Sequence, residues 1–151
     1  MKPIDNTKVI DLNTKLDEKF KEERQEWNTK ILELIRQLSD KSKLTDIQVT
    51  QLSYRQMLQE KLAEYRMFIS QREEIFAKCK SERFREYTLN YDIKLSGTTI
   101  YDFVDSDYAP LIKTINLLKT EVGYLEQSVK TLDNLGFAVK NTIEIISQQI
   151  S

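Results

Sequence analysis

Histidine is missing from all 151 residues. Its absence removes the commonest general base and the commonest metal ligand. A single cysteine, Cys79, excludes an internal disulfide framework and fits a reducing compartment. One thiol without histidine builds no zinc site. Glycine occurs three times and proline twice, which leaves little turn chemistry for strands. No G-x-x-x-x-G-K-S/T or G-x-G-x-x-G string is present, so no phosphate cradle for a nucleotide cofactor is expected. No apolar run approaches the roughly 20 residues of a membrane span. The opening MKPIDNTKVIDL carries charge where a signal peptide would be apolar, so a soluble protein of the cytoplasm, without a membrane partner, is expected. The net charge of −1 excludes a polycation, so any nucleic-acid partner must be held by a local patch. Without an active-site constellation, the expectation is a non-enzymatic helical interaction or assembly protein with no cofactor.

What the chain does have is a stripe. From Leu111 onward, Leu111, Ile115, Leu118, Val122, Leu125, Val129, Leu132, Gly136, Val139, Ile143, Ile146 and Ile150 recur at alternating spacings of four and three. That is a heptad seam in which only Gly136 lacks an apolar side chain. A helix over these 40 residues is about 60 Å long, and it cannot cover its own stripe. It must pack on the rest of the chain, on another copy, or on both. The sequence therefore predicts an all-α fold of elongated helices with a long C-terminal heptad-patterned helix. The seam residues Leu111, Ile115, Leu118, Val122, Leu125, Val129, Leu132, Val139, Ile143 and Ile146 are the candidate oligomerisation contacts. Because the seam keeps phase across Gly136, a continuous or only kinked helix is expected there; the alternatives are a left-handed cap or the close approach of another backbone.

Upstream, Leu12, Leu16, Phe20, Trp27, Ile31, Leu34 and Leu38 mark a helix over 9–38. The ten basic and ten acidic residues of 1–46 cancel, and Asp11–Lys15 and Glu26–Lys30 are spaced as supporting ion pairs. Trp27 reads as a seam anchor. A polar break at Ser39–Lys43 precedes a second helix over 46–87, capped by Thr45 or Asp46. Its seam is Leu58, Leu62, Tyr65, Ile69, Phe76 and Cys79, with Arg72 intruding and a one-residue shift toward Phe84, Tyr87 and Tyr91. Cys79 on this stripe reads as a small buried hydrophobe. Residues 88–106 lose the helical rhythm. Alternating Tyr91, Ile93 and Leu95 before Ser96-Gly97-Thr98-Thr99 allow a short hairpin, but an irregular linker ending in one helical turn is favoured. Asp107 is expected to cap the last helix, with Pro110 in its first turn.

One local patch departs from the mixed charge. Lys78, Lys80, Arg83 and Arg85 face a single acid, Glu82, giving a local charge of +3, with Phe84 and Tyr87 interleaved. Cations neutralise phosphates and aromatic faces stack bases, which is the chemistry of single-strand binding. The candidate nucleic-acid-binding residues are Lys78, Lys80, Arg83, Arg85 and Tyr87. A solvated basic face beside core aromatics is the alternative.

Three strings then resemble one family. Leu95-Ser96 stands before Ile100-x-x-Phe103-Val104-Asp105-Ser106-Asp107; the long helix ends in Gly136-Phe137-Ala138-Val139-Lys140-Asn141-x-Ile143-Glu144; and Lys80-x-x-Arg83-Phe84-x-x-Tyr87 lies upstream. Together they resemble the UvsY family, the recombination mediators of T4-like phages, over roughly residues 50–150. The first 45 residues lie outside the resemblance, so the chain is read as a 1–45 N-terminal helical extension and a 46–151 region for single-stranded DNA binding and oligomerisation. The resemblance implies a ring-like homo-oligomer in the host cytoplasm. It also implies binding to single-stranded DNA and help for a RecA-like phage recombinase (UvsX-like) in replacing the phage single-strand-binding protein. A structural coiled-coil or adaptor protein with no nucleic-acid role is the other reading.

Overall fold

The computed structural model describes residues 4–90 and 94–150, and over these the protein is all-α. Helix α1 spans Asn6–Gln37, a 3-10 turn spans Lys41–Lys43, and α2 spans Leu44–Asn90. Helix α3 spans Gly97–Asp107 and α4 spans Ala109–Ile150. There is no strand among the described residues.

Each helix start has a local cause. The Asp5 carboxylate accepts from Thr7 N at 3.0 Å and Lys8 N at 3.4 Å, pairing amides that a first turn leaves orphaned. Helix α1 stops at Gln37, and Asp40 accepts from Ser42 N at 3.0 Å and from the Ser42 hydroxyl at 2.6 Å. Asp40 thus opens the 3-10 turn that runs on into α2, so neither Thr45 nor Asp46 is the cap; both lie inside the helix. The segment 88–106 is a second correction. Helix α2 continues to Asn90, and Ser96, expected in a turn, instead caps eleven residues of α3 by accepting from Thr99 N at 3.2 Å. Ile100 and Val104, one turn apart, give α3 a buried face. Tyr91 and Ile93, on which the hairpin reading rests, lie outside the described residues. The third correction is Asp107, which closes α3 instead of capping α4. The Ile112 N–H reaches the Tyr108 carbonyl at 3.0 Å, and Pro110 takes the second helical position, where no partner for its nitrogen is needed.

The chain forms two compact units, residues 1–18 with 65–120 and residues 19–64 with 121–151. Each therefore draws on both sides of residue 45. In the first unit, Cys79, Ile100, Val104, Leu111, Ile115 and Leu118 are buried. A neutral polar network joins α1 to α4 there. Asn13 Nδ2 donates to the Pro110 carbonyl at 2.9 Å, and the Thr114 hydroxyl bonds both Asn13 Oδ1 and that same carbonyl. Arg72, the intruder on the α2 stripe, bonds the Phe68 carbonyl and lies 5.5 Å from the Phe68 ring.

In the second unit, Phe20, Trp27, Ile31 and Leu34 of α1 are buried, as are Ile47 and Leu58 of α2 and Leu125, Leu132 and Val139 of α4. Trp27 is a core anchor, edge-on to Tyr54 with 5.5 Å between ring centroids. Lys30 pairs with Glu26 at 2.9 Å and lies over the Trp27 ring. Asp11 and Lys15 make no such pair. Leu12 and Leu38 fall short of the expected stripe: Leu12 is exposed, and Leu38 lies past the helix end, half-buried. Helix α4 runs unbroken through Gly136, and no glycine has positive φ among the described residues. What approaches Gly136 is a side chain: a Cβ there would stand 3.0 Å from Gln51 Nε2.

Arg24 Nη1 bonds Glu121 Oε1 at 2.9 Å, and the Tyr124 hydroxyl donates to the Arg24 carbonyl at 2.9 Å. Glu121 is fully buried, and its carboxyl is pushed up to about 8. Burial is the main cause, followed by its hydrogen bond to and repulsion from Glu23, with Arg24 opposing. Glu121 therefore keeps its proton beside the Glu23 carboxyl, with the Arg24 guanidinium on one of its oxygens.

Candidate nucleic-acid interface

The last turns of α2 present the predicted patch at positions 78–87, and α3 packs against it. Two ring pairs join the helices. Phe84 and Tyr101 stack at 5.0 Å with planes tilted by 41°, and Tyr87 and Phe103 at 5.6 Å with a tilt of 39°. On α3, the buried Ile100 and Val104 define the inward face, which leaves Tyr101 and Phe103 at its edges. Both rings keep much of their surface in solvent, 47% for Tyr101 and 41% for Phe103. Lys80 Nζ sits 4.9 Å from the Tyr101 centroid and 5.7 Å from that of Phe76. Arg85 is exposed and forms no ion pair among the described residues.

The other predicted cations are engaged. Arg83 Nε reaches Asp107 Oδ2 at 3.0 Å, and its Nη1 reaches Glu86 Oε2 at 2.6 Å. These bonds, Asp107 first, hold the guanidinium firmly protonated. The Tyr87 hydroxyl donates to the same Asp107 oxygen at 2.7 Å. That bond and burial raise the phenol, so it keeps the proton it donates. The Asp107 carbonyl accepts from Asn6 Nδ2 at 3.0 Å. Asp107 is therefore a hub tying α2, α3 and the start of α1. Arg83 and Tyr87 position the ring shelf. Lys78 pairs with Glu74 at 3.2 Å, one turn back along α2. Beneath the patch, Cys79 is buried near Tyr108. Burial, then Glu82, pushes its thiol up, which keeps it protonated and unreactive.

Sequence reasoning singled out Tyr87 but missed Tyr101 as a site residue and Phe103 as its neighbour in space. Their signal was present as two aromatics flanking an i,i+4 apolar pair, had 97–107 been read as a helix. The same helix brings Asp102, Asp105 and Asp107, which offset the local positive charge.

The candidate oligomerisation residues lie apart from this cluster in role. Leu111, Ile115, Leu118, Leu125, Val129, Leu132 and Val139 are buried by the chain itself, while Val122, Ile143 and Ile146 are half-buried. Comparison with protein-family models, with curated proteins and with solved structures finds no match for this chain.

Proposed function

We propose that the chain is a non-enzymatic protein that binds single-stranded DNA through the α2–α3 ring shelf. In this reading it acts as a recombination mediator, loading a RecA-like phage recombinase in place of the single-strand-binding protein. The observation that carries the reading is the pair of half-exposed rings, Tyr101 and Phe103, with Lys80 Nζ 4.9 Å from the Tyr101 centroid. Bases stack on the rings, and Lys80 and Arg85, which form no ion pair among the described residues, meet phosphates. The mediator role, its protein partners and a ring-shaped homo-oligomer rest on the resemblance of the 80–87, 95–107 and 136–144 strings to the UvsY family.

Charge and stacking contribute unequally. Two free cations predict a log–log salt slope of only about −1.4 per subunit, whereas each stacked base contributes about 1–3 kcal/mol. Stacking therefore leads. In anisotropy titrations with a poly-pyrimidine single strand, Tyr101→Ala/Phe103→Ala should weaken binding at least about tenfold and leave the salt slope unchanged. Lys80→Ala/Arg85→Ala should flatten the slope. Parent-like affinity in the ring variant, with its thermal melt intact, overturns the reading. The pairing of Arg83 and Lys78 within the chain favours the second reading, a helical assembly or adaptor protein. That protein would show no oligonucleotide binding at any salt and a native mass unaffected by single strands.

A further inference from the structure

The second unit has a groove of its own, and it holds a polar group with no partner. Helices α2 and α4 line an open cavity of about 330 Å³. Its floor is the bare backbone at Gly136 with the Gln51 amide lying against it. Gln51 is only 4% exposed, yet its amide makes no hydrogen bond with any described residue. The amide therefore keeps its donor and its acceptor open to the groove. One wall holds Phe137, 65% exposed, and another Leu52, 59% exposed. On the rim, Arg55 is neutralised by Asp133 at 2.7 Å, and Lys140 is exposed and forms no ion pair among the described residues. The groove therefore offers a planar apolar face, a donor–acceptor amide and one net positive charge.

We infer that this groove takes a nucleotide of a single-stranded nucleic acid. The base lies against Phe137, its edge pairs with the Gln51 amide, and its phosphate meets Lys140. A glutamine amide matches the adjacent donor and acceptor of a base edge, adenine N6 and N7 above all. An exposed phenylalanine is a sequence-tolerant stacking surface. The uncompensated charge is positive, which selects an anionic ligand over a neutral apolar one. Gly136 is the condition for the site, because a side chain there would push into the amide. The inference extends the single-strand reading to a second contact built from different residues, and it rests on that reading for the class of ligand.

Anisotropy titrations of the full chain with labelled deoxyadenylate and thymidylate oligomers test it. Phe137→Ala should bind about tenfold more weakly with an unchanged salt slope. Lys140→Ala should flatten the slope by about 0.7. Gln51→Leu should abolish the preference for adenylate over thymidylate. Phe137 and Lys140 are exposed, so both variants should melt like the parent. If both bind like the parent while Tyr101→Ala/Phe103→Ala does not, the groove holds no strand and only the α2–α3 reading survives. If the parent binds no oligomer, both readings fall together. If an acidic, aromatic-rich peptide binds the parent and is lost in Phe137→Ala while oligomer binding persists, the occupant is a protein and the inference is overturned.

Discussion

In the first unit the buried polar cluster is neutral: Asn13, Thr114 and the Pro110 carbonyl satisfy one another. In the second it is ionic, with Glu121 fully buried between Arg24 and the Glu23 carboxyl. Both tie α1 to α4. An amide and a hydroxyl carry no charge to desolvate, so the first cluster is insensitive to pH. A buried carboxyl beside another carboxyl must keep a proton to be tolerated, so the second cluster responds to pH. Two solutions to the same problem of register thus differ in what they cost to break.

The largest difference should come from removing one partner of each cluster. Arg24→Ala leaves Glu121, ionised above about pH 8, buried without its cation and should cost about 3–5 kcal/mol there. Asn13→Ala removes two neutral hydrogen bonds and leaves the Thr114 hydroxyl still bonded to the Pro110 carbonyl, for about 1–3 kcal/mol. Urea unfolding at pH 9 measures both, and equal losses would erase the comparison.

The pH response sharpens it. Glu121 titrates near 8 in the folded chain against an ordinary 4.5, so the native state holds a proton that the unfolded state releases between these values. Its contribution is fully present below about pH 4.5 and lost as pH rises toward 8, by at most about 1.4 kcal/mol per pH unit. Glu121→Gln keeps a neutral donor at every pH. The parent should lose stability from pH 5 to pH 8, and the Gln variant should lose much less. Matching slopes in chemical denaturation would assign the pH response to other groups. Asn13→Ala should retain the parent's slope.

The smallest effect distinguishes two glycines of α4. A Cβ at Gly123 meets nothing within 4 Å, so Gly123→Ala should stabilise the helix by about 0.5–1 kcal/mol. At Gly136 the same methyl stands 3.0 Å from Gln51 Nε2, and the gain should be smaller or reversed. Thermal melts that rise equally for both would mean that the Gln51 amide moves aside freely.

Much of the fold was legible because periodicity survives in the sequence. Leu125, Leu132 and Val139 were marked by spacing alone and are buried. Helix α3 was missed because Ser96-Gly97-Thr98-Thr99 serves a cap as readily as a turn, and eleven residues offer only one buried i,i+4 pair to reveal the period. The site was half legible. A basic–aromatic string on α2 could be read, but not that Asp107, twenty-four residues beyond Arg83, claims its guanidinium.

By itself the sequence determined the helical class and the absence of histidine and of an internal disulfide, and it favoured an unbroken last helix through Gly136. Each follows from residue identity and local spacing, which need no partner to act. Tertiary structure alone decided which cations stay free, which rings face solvent, that the heptad seam is largely covered by the chain itself, and that Glu121 is buried beside a second carboxyl. Those outcomes depend on which side chains meet across separate helices, and side chains about a hundred residues apart leave no periodic trace in the order of the chain.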